Sequence, residues 1–109
     1  MREWVSADFQ KGLDAAEQGN DAAQFNLGVM YAVGQGVLAD YVYAHMWGNI
    51  ASSNGNENGG KLRDLLDKKM TPSQLKKAQD LARECVRKKY KGCWVDRHHP
   101  DFSTGIRVY

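Results

Sequence analysis

Gly-Asn stands at residues 19–20 and again at 55–56, at the same place within two similar stretches, AAEQGNDAAQ at 15–24 and ASSNGNENGG at 51–60. This offset of 36 residues constrains the chain more than any other feature. Self-similarity at a period of roughly 20–50 residues marks stacked supersecondary units, none of which buries its apolar face alone. The segment between the two turns has room for two helices. Asn20 or Asp21 caps a first helix running to about Val33, and Gly34 supplies a left-handed C-terminal cap that lets Val37 point back into the core. Asp40 caps a second helix ending near Ser53. The expected unit is a helical hairpin.

On the first helix Ala23, Leu27 and Tyr31 share a face, with Gly28 beside them. Glycine inside a helix costs about 1 kcal/mol relative to alanine. Gly28 therefore needs a compensating reason, and the close approach of another backbone is the usual one. On the second helix Ala44, Trp47 and Ala51 fall at i, i+3 and i+7, placing two small side chains and one large one on a common face. The second helix is expected to cross nearest at Gly28, with Trp47 filling the space that the small residues leave open.

The string AAEQGNDAAQFNLGVMYAVGQGVLADYVYAHMWGNIASSNGN, residues 15–56, resembles the Sel-1-like repeat, a relative of the tetratricopeptide repeat. It shares the small-residue start, the Leu-Gly-x-Met-Tyr core, the Gly-x-Gly-Val loop, the Asp cap, the Ala-x-x-Trp step and the closing Ala. The resemblance implies an all-α fold, a short α-solenoid of antiparallel helix pairs with about five helices and an irregular C-terminal tail.

Outside residues 15–56 the pattern weakens. From 57 to 93 Arg63 and Asp64 stand where Leu-Gly stood, and Met70-Thr71-Pro72 replaces the Gly-x-Gly loop. A helical pair still fits. Leu62, Leu65 and Leu66 give one helix an apolar stripe, Thr71 and Gln74 form a capping box around Pro72, and Leu75, Ala78, Leu81, Ala82, Cys85 and Val86 follow helical spacing. This reads as a degenerate terminal repeat, which at a solenoid end is expected to be atypical and polar. At the other end Phe9, Leu13 and Ala16 stripe a helix over 6–18, the second half of an incomplete unit. The expected division of one domain, 1–109, is a partial repeat at 1–20, an intact repeat at 21–56, a degenerate one at 57–93 and an irregular tail at 94–109. An array of roughly two units falls short of the about three usually needed, so an uncovered end favours self-association into a homo-oligomer.

The net charge of +2 conceals a division of the chain. Residues 1–60 hold two basic and seven acidic residues, and residues 61–91 hold eleven basic and four acidic ones, giving −5 and +7. Such asymmetry bears on association and steering rather than on fold. Lys76, Lys77, Arg83, Arg87, Lys88, Lys89 and Lys91 are spread around their helix without interleaved aromatics before Tyr90, which reads as a solvated helix and not as a nucleic-acid or membrane surface. Gln35, Asp40 and His45 interrupt the best apolar stretch short of the roughly 20 residues a membrane span needs. The opening MREWVSADF has no apolar region of signal-peptide length, so the expectation is a cytoplasmic protein or a mature or truncated exported form.

Little in the chain points to chemistry. Adjacent histidines seldom point at one ion, and Cys85, Cys93, His98 and His99 match no closed zinc pattern, so neither a metal ion nor a cofactor is expected. His45 adjoins the Ala44–Trp47 stripe and reads as a surface or half-buried residue, no Ser-His-Asp set or paired carboxylate stands out, and Gly34-x-Gly36 lacks the preceding strand of a dinucleotide site. The cysteine-rich branch of the Sel-1-like family closes its repeats with disulfides at the spacing of Cys85 and Cys93, so the resemblance implies a bridge there. From the residues alone a pair of reduced thiols is the alternative, and compartment decides. The same branch has been linked to binding or hydrolysing β-lactams, although no nucleophile and base stand at recognisable spacing.

Superhelical helix pairs bind peptides or proteins along the concave face of their first helices. Aligning Leu27, Gly28 and Tyr31 with the tetratricopeptide core puts Ala22, Phe25, Val29, Ala32 and Val33 on that face, and the 36-residue offset adds Asn58, Lys61, Leu65, Lys68 and Lys69. The expected function is a non-enzymatic interaction module whose groove, apolar at one end and basic at the other, suits an extended peptide with a hydrophobic anchor and acidic residues or a free carboxylate. Phe25 and Val29 as ordinary packing between repeats is the competing account. A self-assembling subunit, with the acidic half of one chain meeting the basic half of another, and a β-lactam-binding or hydrolysing protein are the alternatives.

Overall fold

The computed structural model describes residues 6–93. Five helices follow one another: α1 (Ala7–Glu17), α2 (Asp21–Val33), α3 (Tyr41–Ser53), α4 (Glu57–Asp67) and α5 (Pro72–Arg87). Each begins on a side chain that accepts the amide of the residue three places on, Ser6 from Phe9, Asn20 from Ala23, Asp40 from Tyr43, Asn56 from Gly59 and Thr71 from Gln74. Such a cap stabilises a helix start by about 1 kcal/mol. At Thr71 the box is complete, because the Gln74 side chain also accepts from the Thr71 amide. Gly34 ends α2 in the left-handed conformation with φ 76°, and its amide donates to Met30 O.

α1 packs on α2, α2 on α3, and α3 in turn carries both α4 and α5. The core lies where these meet: Phe9, Leu13 and Ala16 from α1, Leu27 and Tyr31 from α2, and Ala44, Met46, Trp47 and Ile50 from α3 are all buried. Tyr31 sits between two aromatic neighbours, edge-on to Phe9 at 5.4 Å and tilted against Tyr43 at 5.5 Å, separations typical of attractive ring pairs. Val37 packs against this cluster, and Ala44, Trp47 and Ala51 are fully enclosed.

Glycines set the helix separations. A methyl placed on Gly28 would stand 3.2 Å from Ala44 O and 3.3 Å from Gly48 N, so α3 does cross α2 at that point. The same methyl would meet Leu62 Cδ2 at 2.8 Å, so α4 also reaches Gly28 and lies beside α2. Gly59 faces Gly48 and Ala51 even more closely.

The terminal pair departs from this pattern. α4 and α5 each pack on α3 and hardly on one another. At the positions that in α2 carry Leu27 and Gly28, α4 carries Arg63 and Asp64, 36 residues on. Neither a guanidinium nor a carboxylate is left in an apolar seam without large cost, so the pair stays splayed. Leu65 and Val86, read as members of apolar stripes, are accordingly 53% and 49% exposed.

His45 corrects another expectation. Placed at the surface or half-buried by its sequence, it is 1% exposed, with Nε2 2.7 Å from Asp67 Oδ1. α4 covers it, and Asp67, at the place of Tyr31 one repeat earlier, supplies the polar partner that a buried imidazole requires.

Candidate functional site

The ten residues assigned to the first-helix face lie on α2, on α4 or in the two positions after α4. None is buried: Phe25, Val29 and Ala32 are half-buried, and Ala22, Val33, Asn58, Lys61, Leu65, Lys68 and Lys69 are exposed. The Gly28–Leu62 approach sets α2 and α4 side by side, which brings the two sets onto adjoining helices. Val33 at 65% and Leu65 at 53% exposure are among the few large apolar side chains left open to solvent.

The basic residues of the two C-terminal helices differ in their partners. On α5 Lys76 and Arg83 both pair with Asp80, and Arg87 pairs with Glu84. The hydrogen bond from Lys76 foremost, with the charges of Lys76 and Arg83, holds the Asp80 carboxyl below its ordinary range. Lys61, Lys68 and Lys69, like Lys77 on α5, pair with no carboxylate among the described residues.

The turn end of the molecule carries a polar chain that sequence spacing did not reveal. Tyr90 Oη donates to Asn54 Oδ1 at 3.2 Å, Asn54 Nδ2 to Gln24 Oε1 at 2.8 Å, and Gln24 Nε2 to Ala16 O at 3.1 Å. Gln24 is thereby satisfied while fully buried. Asn56 Nδ2 adds a bond to Asp21 Oδ2 at 3.0 Å, and the amide of Gly92 donates to Glu17 Oε2 at 3.1 Å, joining the last turn to the first helix. Cys85 and Cys93 form a disulfide with Cα atoms 5.4 Å apart, which folds this last turn back on α5.

Among the described residues no three His, Cys, Asp or Glu side chains are grouped to hold a metal ion. Nδ1 of His45 is buried without a hydrogen-bond partner among them, so the His45–Asp67 pair has no hydroxyl or thiol bonded to it. No described helix is long and apolar enough to cross a membrane. His98, His99 and the tail from Trp94 lie outside the described residues.

Among solved structures the chain is similar to c5321, a protective antigen present in uropathogenic Escherichia coli strains and displaying an SLR, or Sel-1-like repeat, fold. The two share 36% sequence identity over 87% of this chain, with a TM-score of 0.67. The chain shares the Sel-1-like repeat fold of that antigen. The glycine contacts described above are where its successive helices meet. The chain spans about 20% of the antigen's length. No family model and no curated protein matches the sequence.

Proposed function

We propose that this protein is a non-enzymatic interaction module, which holds an extended peptide or protein segment along the adjoining first helices α2 and α4. The observation that carries the reading is the lysine set without partners beside open apolar surface. Val29, Val33 and Leu65 offer an apolar anchor site, and Lys61, Lys68 and Lys69, with no carboxylate of their own among the described residues, await acidic groups from a ligand. Unpaired ammonium groups attract an anionic segment over about a Debye length and raise its rate of encounter. The helical-repeat fold supports the reading, because such folds present long first-helix surfaces to partners.

A labelled ten-residue peptide with one central leucine among glutamates is a suitable probe, read by fluorescence anisotropy. The double variant Lys68→Glu, Lys69→Glu is expected to bind it at least tenfold more weakly while its circular dichroism stays that of the parent. Equal binding by the two proteins would rule out this groove.

A further inference from the structure

Asn-Gly occurs at Asn54-Gly55 and again at Asn58-Gly59. Such a step is prone to an internal reaction, because glycine has no side chain to keep its amide nitrogen away from the preceding Asn side-chain carbonyl. The two steps stand in opposite settings. Asn58 lies in the first turn of α4, and Gly59 is buried, with its amide donating to Asn56 Oδ1 at 2.9 Å and its Cα pressed against Ala51 and Gly48. Asn54 follows the last turn of α3, it and Gly55 are exposed, and a methyl on Gly55 would meet nothing within 4 Å.

Hydrogen bonds, rather than enclosure, hold Asn54-Gly55 in place. The Gly55 amide donates to Ser52 O at 3.0 Å, Asn54 Nδ2 donates to Gln24 Oε1 at 2.8 Å, and Tyr90 Oη donates to Asn54 Oδ1 at 3.2 Å. The bond from Tyr90 is the longest of the three and faces solvent. Lys89 and Tyr90, which carry it, both have positive φ, 57° and 70°, a region that residues with a side chain enter at a cost. Peripheral turns of this kind open at free energies well below that of global unfolding.

We propose that Asn54 is a site of spontaneous self-modification, gated by Tyr90. When the turn opens, Gly55 N attacks Asn54 Cγ. The N–Cγ bond forms, the Cγ–Nδ2 bond breaks, and the Gly55 amide proton leaves with Nδ2 as ammonia, giving a cyclic imide. Water then opens the imide at Cγ to leave aspartate, or at the main-chain carbonyl to leave isoaspartate. The chain supplies both reacting groups, and water is the one co-reactant. Aspartate places an acceptor-only carboxylate where Nδ2 donated. The fully buried Gln24 then faces it with Oε1; turning the Gln24 amide over would offer its nitrogen to the carboxylate but set its oxygen against Ala16 O, which Nε2 now meets at 3.1 Å. One contact is acceptor against acceptor in either orientation. Isoaspartate instead lengthens the main chain by a methylene just ahead of Asn56, the cap of α4. Conversion therefore loosens the joint between α3, α4 and the last turn. The site lies apart from the first-helix groove and does not rest on that reading.

The test is incubation of the full chain in mildly alkaline buffer, with peptide mapping by mass spectrometry to place the amide-to-acid conversion and the free peptide Ser-Ser-Asn-Gly-Asn-Glu as a reference. Asn54 is expected to convert at least threefold faster than Asn58. Tyr90→Phe, which keeps the ring against the core and removes Oη, is expected to speed conversion of Asn54 at least threefold and to leave Asn58 unchanged. Asn54→Asp, the aspartate product made directly, is expected to unfold at lower urea than the parent. Conversion of Asn58 as fast as Asn54, no conversion of Asn54 by the time the free peptide has reacted fully, or an unchanged rate in Tyr90→Phe would each overturn the proposal. An Asn54→Asp midpoint equal to the parent's would overturn the loosening it assigns to the modification.

Discussion

Adjacent glycines in the first turn of α4 are expected to respond to alanine with opposite sign. A methyl on Gly59 would stand 2.7 Å from Ala51 Cβ, 2.7 Å from Gly48 O and 2.9 Å from Ser52 N. Two of these atoms are backbone, so no rotamer change relieves the contact. Ordinary separations between non-bonded heavy atoms are about 3.5–4.0 Å, which forces α3 and α4 apart by roughly 0.8 Å at this point, and a gap of that size forfeits about a quarter to a half of the dispersion attraction of each contact it opens. Overpacking of this kind costs about 1–3 kcal/mol, against which alanine returns at most about 1 kcal/mol of helix propensity. Because Leu62, one turn on, is wedged between Gly28 and Gly48 on the same seam, we place the net loss near the upper part of that range, at about 2 kcal/mol. On Gly60 the methyl would meet only side-chain atoms, Ser52 Oγ at 3.2 Å and Arg63 Nη2 at 3.6 Å, and both can move aside. Gly60→Ala is therefore expected to be neutral or to stabilise by up to about 1 kcal/mol. Urea unfolding followed by far-ultraviolet circular dichroism measures both, through a shift of midpoint at constant slope. For a domain of this size a loss of 2 kcal/mol also lowers Tm by roughly 8–16 °C. If Gly59→Ala is as stable as Gly60→Ala, the two helices do not approach as closely as described and the account of the glycine seam is wrong.

Two further substitution sets bear on the His45–Asp67 contact and the last turn. Asp67→Ala leaves Nε2 of the buried His45 without its partner and should lower stability by about 1–3 kcal/mol, whereas Asp67→Asn retains a hydrogen-bonding group and should lose less than half as much in the same urea titration; equal losses would show that packing and not the polar contact is at stake. The Cys85–Cys93 bridge closes a loop across a sequence separation of 8, for which chain entropy gives about 2–3 kcal/mol. The Cys85→Ser, Cys93→Ser variant should unfold at correspondingly lower urea, with the earliest loss of amide protection at Gly92, whose bond to Glu17 depends on the turn; identical midpoints would mean that the bridge constrains nothing.

What the sequence made legible is what is local. Ser, Asn, Asp and Thr caps act on amides three residues away, and the left-handed Gly34 ends its own helix, so the starts and stops of α2, α3 and α5 could be read from neighbours in the chain. Gly28 was legible for a related reason: an unfavourable residue in a helix demands a contact, and the only candidate nearby was the next helix. His45 and Gln24 were not legible, because their burial depends on partners 22 and 30 residues away, Asp67 and Asn54, whose polarity gives no hint of direction. Asp67 did offer one signal, a carboxylate at the repeat position where the preceding unit has Tyr31.

The terminal helix pair shows how a lapse in the helix-pairing pattern creates surface. In the α2–α3 pair Leu27 is buried, and Gly28 brings the two helices into contact through Ala44 and Gly48. The same two positions one repeat later hold Arg63 and Asp64, and a side chain that must keep its charge in water holds its helix away from the partner. α5 then has only α3 to pack on, and it does so with the small residues Ala78 and Ala82 together with Cys85, all buried. The Arg63 guanidinium is instead held by Asn49 of α3. Replacing Arg63 and Asp64 by Leu and Gly should therefore draw α4 and α5 together and raise the midpoint of urea unfolding. A double variant no more stable than the parent would defeat this explanation of the splayed pair.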